Sequence, residues 1–392
     1  MIKFEEAYDI VLNSANFYLQ TERINFEDSL GRILAENVNS DINMPPFDKS
    51  AMDGFAIRRA DIENELEVIE VLPAGKVPEK SVGQNQCTKI MTGAIIPEGA
   101  DCVIMVEHTK ETGKNKIRFT FDYTNNNICY FAEDIKEDDL VLKKGIEIKP
   151  QHIAVMASVG CTKPLVSKQP KIGIISTGDE LVEPNIFPGK SQIRNSNGHQ
   201  LVAQVTRAGA IPDYIGIAED SEEVTYNTIS KALQENDIVL LTGGVSMGDF
   251  DFVPEIMVKC GVDIKFQALA VKPGKPTIYG TFGKEKFIFG LPGNPVSSYT
   301  QFELLAKPLI MKLMGATELT QIIKMPMGRE YSRRKSSRKS FIPVNITDGK
   351  AYPVEYHGSA HIHSYVFADG VTSIEIGKEK LEIGELVDVR QI

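Results

Sequence analysis

At 392 residues the chain exceeds one ordinary domain of ~100–200 residues, so several domains are expected. An apolar share of 42% and a charged share of 24% fit a soluble globular protein with material for more than one core. The formal charge of −10, from 43 Lys and Arg against 53 Asp and Glu, argues against a nucleic-acid protein, which needs a basic face to displace phosphate counterions.

The five cysteines, Cys87, Cys102, Cys129, Cys161 and Cys260, form no Cys-x-x-Cys pair, so neither a zinc knuckle nor a disulfide framework is indicated. The first residues, Met1-Ile2-Lys3-Phe4-Glu5-Glu6, reach acidic side chains at once and hold no apolar signal core. No apolar run reaches the ~18 residues that span a bilayer. A cytoplasmic protein with neither membrane nor nucleic acid as partner is expected.

In chain order, residues Phe4–Gln20 carry helical spacing, with Phe4, Ala7, Ile10/Val11 and Phe17/Tyr18 on one stripe. A second helix is expected around Ser29–Ala35. From Met44 to about Lys149, β-branched runs (Leu66–Leu72, Thr88–Met91, Cys102–Glu107, Lys116–Phe121) alternate with Pro/Gly punctuation, which predicts a small all-β module. Over Gln169–Gly315, strand-like runs (Ile172–Ile175, Tyr214–Ile217, Ile238–Leu241, Ile264–Leu269, Phe287–Phe289) alternate with helical patterns (Gly198–Arg207, Ser221–Gln234, Phe252–Cys260, Val296–Met314). That alternation marks βαβ units on a mostly parallel sheet. Glu318–Ile392 reads as strand-rich, with Gly/Asp turns and no helix.

Open parallel sheets bind ligands beyond the carboxyl ends of their strands. After Ile172–Ile175 comes Ser176-Thr177-Gly178-Asp179-Glu180, a tight turn that projects two carboxylates, or else a routine strand-to-loop turn. After Ile238–Leu241 comes Thr242-Gly243-Gly244-Val245-Ser246-Met247-Gly248-Asp249-Phe250-Asp251. Its glycines and small hydroxyls suit a phosphate cradle, although it is neither a GxGxxG nor a GxxxxGKS pattern. Asp249 and Asp251 are placed to hold magnesium, and solvated acids beside a plain glycine turn are the alternative. Lys272-Pro273-Gly274-Lys275-Pro276 sets two lysines on a backbone stiffened by prolines, which suits fixed positive charge aimed at an oxyanion. Leu291-Pro292-Gly293-Asn294-Pro295-Val296-Ser297 opens the longest helix, with Pro295 near its first turn. The block Met44–Ala56 suits neither strand nor helix and reads as a functional loop.

Two clusters invite other readings. His357, His361 and His363 lack a Cys or acidic partner at ligand spacing, so surface histidines are favoured over a zinc site. The basic run Arg329, Arg333, Arg334, Lys335, Arg338 and Lys339 is expected to be a solvated face, from which one arginine is available to an anionic substrate.

Together and in this order, Pro45–Ala56, Ser176–Leu181, the GGVS-x-G-x-x-D run Gly243–Asp251, Lys272–Pro276 and Leu291–Ser297 resemble the MoeA family, also represented by the gephyrin E domain. The βαβ domain alone is shared with molybdopterin adenylyltransferases and CinA-like proteins, and the Pro45–Ala56 block selects MoeA among them. Lys49 stands where Asn is usual, and Phe55 where Tyr is frequent.

The resemblance implies a multidomain α/β protein that forms an elongated homodimer. Its parts would be a discontinuous linking domain (21–44 and 140–168), an inserted β module (45–139), a molybdopterin-binding, Rossmann-like βαβ domain (1–20 and 169–317) and a C-terminal β-barrel (318–392). The implied reaction inserts molybdate into adenylylated molybdopterin, made by an upstream molybdopterin adenylyltransferase, and releases AMP with magnesium as cofactor. Residue by residue, Lys272 and Lys275, with Arg338 and Ser364, match substrate-binding positions, as do Gly243, Gly244, Ser246, Pro292 and Pro295. Glu180, Asp220 and Asp251 match acids near the pyrophosphate and are the implied magnesium ligands. Asp53, Thr92 and Asp134 match functional positions in the inserted module and would act across the dimer. A non-catalytic scaffold, a tungsten-inserting paralogue and a different magnesium-dependent phosphoanhydride hydrolase are the alternatives on the same fold.

Overall fold

The computed structural model describes every residue except Asp220, 246–252 and 356–357. The chain forms two compact units. One comprises Met1–Glu36, Lys144–Lys149 and Lys163–Ile392, the other Asn37–Lys143 and Pro150–Thr162.

The first unit is built on a six-stranded sheet. Ile211–Ala218, Lys171–Thr177, Ile238–Thr242 and Lys286–Leu291 lie side by side and parallel, followed by antiparallel Ile278–Phe282 and then Asp263–Phe266. Alternation along the strands sorts their side chains onto two faces. Ile172, Ile174, Ile238, Leu240, Phe287 and Phe289 join one buried cluster with Leu201 and Val205 of helix Ser196–Arg207. Ile175, Val239, Leu241 and Ile288 join another with Ile229, Ala232 and Leu233 of helix Glu222–Glu235. Ser221, expected as the first residue of that second helix, is its cap and accepts a hydrogen bond from Val224 N at 3.2 Å.

The N-terminal helix covers Phe4–Ser14 and buries Phe4, Ala7 and Val11 in the first of these clusters. It stops well short of Gln20, because Asn13-Ser14 supplies poor helix formers and the Ser14 hydroxyl turns back to Val11 O (2.7 Å) and meets Tyr279. Ser29–Ala35 is not helical. A 3₁₀ turn ends at Ser29, Gly31 takes φ +75°, and Ile33 and Leu34 form antiparallel bridges to Glu147 and Val166. Long-range pairing of β-branched Ile33 overrides the local pattern there.

The pattern Val296–Met314 resolves into helix Pro295–Gln301, a π turn at Phe302–Ala306 and helix Lys307–Leu313. Pro308 explains the break, since it has no N–H for the carbonyl four residues earlier and its ring crowds that carbonyl. Glu303, buried within the π turn, is met by Gln204, Arg207 and Lys307.

The C-terminal strands Ile322–Pro326, Lys339–Thr347, Lys350–Pro353, Gly370–Ile374 and Leu386–Gln391 form a sheet around Met325, Met327, Ile342, Val344, Ala351 and Val389. A bridge from Met327 to Ala351, with Gly328 N donating to Ala351 O at 2.8 Å, joins its two ends. Val271–Lys272 adds to the same sheet, parallel to Lys339–Ser340.

The second unit holds a six-stranded sheet in the order Cys102–Met105, Gly54–Ile57, Gln86–Ile90, Glu65–Leu72, Lys116–Phe119, Thr109–Gly113. Phe55, Ile57, Leu66, Cys87 and Ile104 pack on one face, and Ala56, Leu72, Ile90 and Val103 on the other. Phe55 is only 5% exposed, so its ring serves the core. No helix among the described residues is long and apolar enough to cross a membrane.

Candidate functional site

In the first sheet, strand Lys171–Thr177 lies between Ile211–Ala218 and Ile238–Thr242. The connections leaving the two inner strands diverge onto opposite faces, which opens a crevice at their carboxyl ends. Thr177 and Gly243 meet at this point. Gly243 (φ +98°) and Gly244 (φ +61°) are both left-handed, and a Cβ on either would press on Thr177. The cradle expected from the glycines is therefore a close backbone approach as far as Val245. Ser246, Asp249 and Asp251 lie outside the described residues, as does Asp220.

Glu180 is exposed, and its carboxylate curls over Gly178 (φ +142°), where a Cβ would collide with it. Asp179 beside it is also exposed. Thr177 is 4% exposed, and its hydroxyl has no hydrogen-bond partner among the described residues.

Two asparagines absent from the sequence reading bind these loops together. Asn195 caps helix Ser196–Arg207 by accepting from Gly198 N (3.1 Å). It also accepts from the Ser176 hydroxyl (3.0 Å) and donates to Tyr214 Oη (2.8 Å). The Tyr214 hydroxyl in turn donates to Glu183 at 2.7 Å and holds its carboxyl below the usual range, with His199 on the other carboxylate oxygen. Asn197 donates to Thr242 Oγ1 (3.0 Å) and to Gly293 O (2.8 Å), which joins the glycine turn to the loop before Pro295. The Thr242 hydroxyl donates to Pro292 O at 3.3 Å, and Pro295 occupies the first turn of its helix. An Asn-x-Asn ahead of a helical run signals the cap. Nothing local signals the reach of Asn197.

The lysine loop lies beyond the carboxyl end of Asp263–Phe266, a strand that runs with the parallel set. Its backbone is buried at Pro273 and Gly274, while Lys272 and Lys275 are exposed. Neither ammonium makes an ion pair or hydrogen bond among the described residues, so this short loop offers two exposed, unpaired cations. Arg338 Nη1 donates to Val271 O at 3.2 Å, which brings a third cationic side chain to the base of the same loop.

The basic run is the solvated face expected from its composition only in part. Arg333 donates to Lys378 O (2.8 Å) and Ser340 Oγ (2.6 Å), and Arg329 donates to Pro353 O (2.6 Å). Lys339 pairs with Glu5 and Glu375, each at 2.7 Å, and lies over the Phe4 and Phe341 rings. Arg329, Arg334 and Lys335 of the run are exposed, and Arg333, Arg338 and Lys339 are half-buried. The charged heads of Arg329, Arg333 and Lys339 tie the C-terminal segment together through these bonds.

Ser364 sits on a 3₁₀ helix, Ile362–Phe367, whose Tyr365 reaches Thr300 Oγ1 at 2.8 Å. Ser364 lines a cavity of about 820 Å³ with Arg329, His361, His363 and Phe367. The Ser364 hydroxyl donates to His361 O at 2.9 Å, and no hydrogen bond among the described residues joins it to the lysine loop. His357 lies outside the described residues, and no group of three metal-ligating side chains occurs among those described.

In the second unit the Met44–Ala56 block is stitched down along its length. Asp134 N donates to Met44 O (3.0 Å), Phe131 N to Asp48 Oδ1 (2.7 Å) and Gly93 N to Ser50 O (2.8 Å). Asp53 and Thr92 are joined directly. Asp134 is exposed and lines a smaller hollow of about 350 Å³ with Asp139 and Val155.

Comparison with known proteins identifies the family. Three family models match in succession: the MoeA N-terminal region (domain I and II) over residues 2–160, a probable molybdopterin binding domain over 173–312 and the MoeA C-terminal region (domain IV) over 328–392. The molybdopterin molybdenumtransferase of Staphylococcus epidermidis is 39% identical over 381 residues, which covers 93% of this chain and 90% of that protein. That of Bacillus subtilis is 37% identical over 390 residues, covering 94% and 89%. The crystal structure of a molybdopterin biosynthesis MoeA protein from Pyrococcus horikoshii superposes with a TM-score of 0.83 at 31% identity and covers 100% of both chains. The chain therefore belongs to the MoeA family, whose curated members in these two bacteria carry the name molybdopterin molybdenumtransferase.

Proposed function

We propose that this protein is a molybdopterin molybdenumtransferase: it inserts molybdate into adenylylated molybdopterin and releases AMP. The observation that carries the reading is the lysine loop, where buried Pro273 and Gly274 hold the unpaired Lys272 and Lys275 outward above Arg338. Molybdate is a dianion that must be brought to an anionic substrate, and preorganised cations supply the stabilisation that this requires. Curated relatives that share the chain nearly end to end carry the name of this activity.

In this reading the Gly243–Gly244 turn, with Ser246 beyond it, cradles the phosphates, and Pro292 and Pro295 shape the opposite lip. Ser364 faces the substrate from its cavity. Asp53, Thr92 and Asp134 belong to the inserted module of a homodimer and act on the partner's cleft. The arrangement proposed for the chain is the discontinuous linking domain, inserted module, βαβ domain and C-terminal barrel described from sequence. The adenylylated substrate would come from a molybdopterin adenylyltransferase.

Magnesium is assigned to Glu180 with Asp220 and Asp251, hard oxygen donors that suit it. Bound there it would neutralise pyrophosphate charge as the anhydride breaks. Of these three carboxylates only Glu180 is among the described residues, so the steps assigned above rest on the chain's own cations and amides.

The loop is tested by Lys275→Gln, which keeps length and polarity and removes charge. Loss of one charge-assisted hydrogen bond, ~1.5–3 kcal/mol, weakens molybdate use by roughly tenfold or more. At fixed adenylylated molybdopterin, the molybdate dependence of cofactor formation should shift to higher concentration and be overcome by excess. An unshifted curve would place the oxyanion elsewhere.

A further inference from the structure

Gln301 is fully buried, the last residue of helix Pro295–Gln301, and far in sequence from the lysine loop. Its Nε2 donates to Pro273 O at 3.1 Å, and a Cβ at Gly274 (φ +97°) would collide with its carboxamide. Its Oε1 has no partner among the described residues. Turning the amide over would set that oxygen against the Pro273 carbonyl, acceptor against acceptor, so the donor is committed to the loop. A buried acceptor left unmade is costly in a folded protein and calls for an explanation. An apolar side chain of the same shape would avoid the cost, and all it would lose is the bond to Pro273.

The remaining supports of the loop are its own backbone, Ile2 at the N-terminus, whose O accepts from Ala270 N (2.7 Å), and the C-terminal sheet. Leu269 N donates to Lys275 O (2.8 Å), Thr277 Oγ1 to Gly274 O (2.7 Å) and Lys339 N to Ala270 O (2.9 Å). Gln301 is the support that arrives from the helix opened by the Pro292–Pro295 lip, and it grips the stretch between the two lysines.

We infer that Gln301 is a positioning residue for Lys272 and Lys275: through Pro273 O it fixes where the two ammonium groups point and couples the oxyanion loop to the helix behind the pterin lip. This deepens the reading above and rests on it.

The test is Gln301→Met, close in volume, with neither donor nor strong acceptor. It removes the unmade acceptor as well as the bond, so the variant folds and its melting temperature is equal or higher. Half-saturating molybdate in cofactor formation should rise roughly 2- to 10-fold, the range for one lost hydrogen bond. Turnover at saturating molybdate and the dependence on adenylylated molybdopterin should stay put. Gln301→Glu, protonated in this buried place, can again donate to Pro273 O and should recover part of the shift.

Two controls separate this inference from the reading beneath it. Amide hydrogen exchange across 269–277 should quicken in Gln301→Met whatever the loop binds, and unchanged exchange would overturn the clamp. Lys275→Gln run alongside reports on the loop's ligand. If Lys275→Gln shifts the molybdate curve and Gln301→Met does not, Gln301 has no positioning role. If exchange quickens and neither variant shifts the curve, the clamp stands and the loop does not serve molybdate.

Discussion

Asp53 Oδ1 accepts two hydrogen bonds from one residue, Thr92, whose backbone N lies at 2.6 Å and whose Oγ1 lies at 2.8 Å. The pair closes the loop that follows Ser50 onto the turn after strand Gln86–Ile90 and leaves the other carboxylate oxygen available. Two donors on one oxygen favour the ionised form, the backbone N–H of Thr92 first and its hydroxyl second, and the Asp53 carboxyl is held below its ordinary value.

Because the folded-state pKa of Asp53 lies below that of the unfolded chain, its contribution is present above pH ~4 and is lost as pH falls through the folded value. Thr92→Val removes the hydroxyl and keeps the backbone donor. NMR titration of the Asp53 carboxyl should show its pKa partly raised towards the ordinary carboxylate range. An identical titration in both proteins would mean that the Thr92 hydroxyl does not hold Asp53 in solution.

Asn197 ties the glycine turn to the loop before Pro295 through two hydrogen bonds from one amide. Asn197→Ala leaves Gly293 O and Thr242 Oγ1 short of a donor in a closed space, and urea denaturation should report a loss of ~1–3 kcal/mol. The apparent KM for adenylylated molybdopterin should rise while half-saturating molybdate changes little, since the Asn197 amide bonds to Thr242 and Gly293 and to no residue of the lysine loop among those described. Equal shifts in both would show that the two loops act as one.

If the module bearing Asp53 completes the cleft of a partner subunit, two different lesions can be separated on mixed dimers. Co-refolding Asp53→Ala chains with Lys275→Gln chains should restore part of the activity, because some dimers carry one cleft with neither lesion. A mixture no more active than its parents would place Asp53 and Lys275 in the same cleft of one chain, or remove Asp53 from the chemistry.

The strands of the main sheet were legible because β-branched runs such as Ile238–Leu241 sit between Gly/Asn punctuation and reappear as buried strands. Ile278–Phe282 was hidden because Pro276-Thr277 reads as a turn and Gly280 interrupts its apolar run, yet it pairs antiparallel with Lys286–Leu291. Lys272 and Lys275 were legible as candidates from proline spacing alone. Gln301 and Asn197 were not, because a carboxamide acting across the fold leaves no periodic trace. The basic run was legible only in part for the related reason that composition counts charges and not their partners: the Lys339 ammonium is held by Glu5 and Glu375 and lies over the Phe4 and Phe341 rings.

The most direct measurement is AMP release from adenylylated molybdopterin by the purified protein, followed together with cofactor formation, with and without molybdate. The account predicts that cofactor forms only when molybdate is present and that AMP appears with it in equal amount. AMP released at the same rate without molybdate, and no cofactor formed with it, would contradict a molybdenumtransferase and favour a phosphoanhydride hydrolase on the same fold.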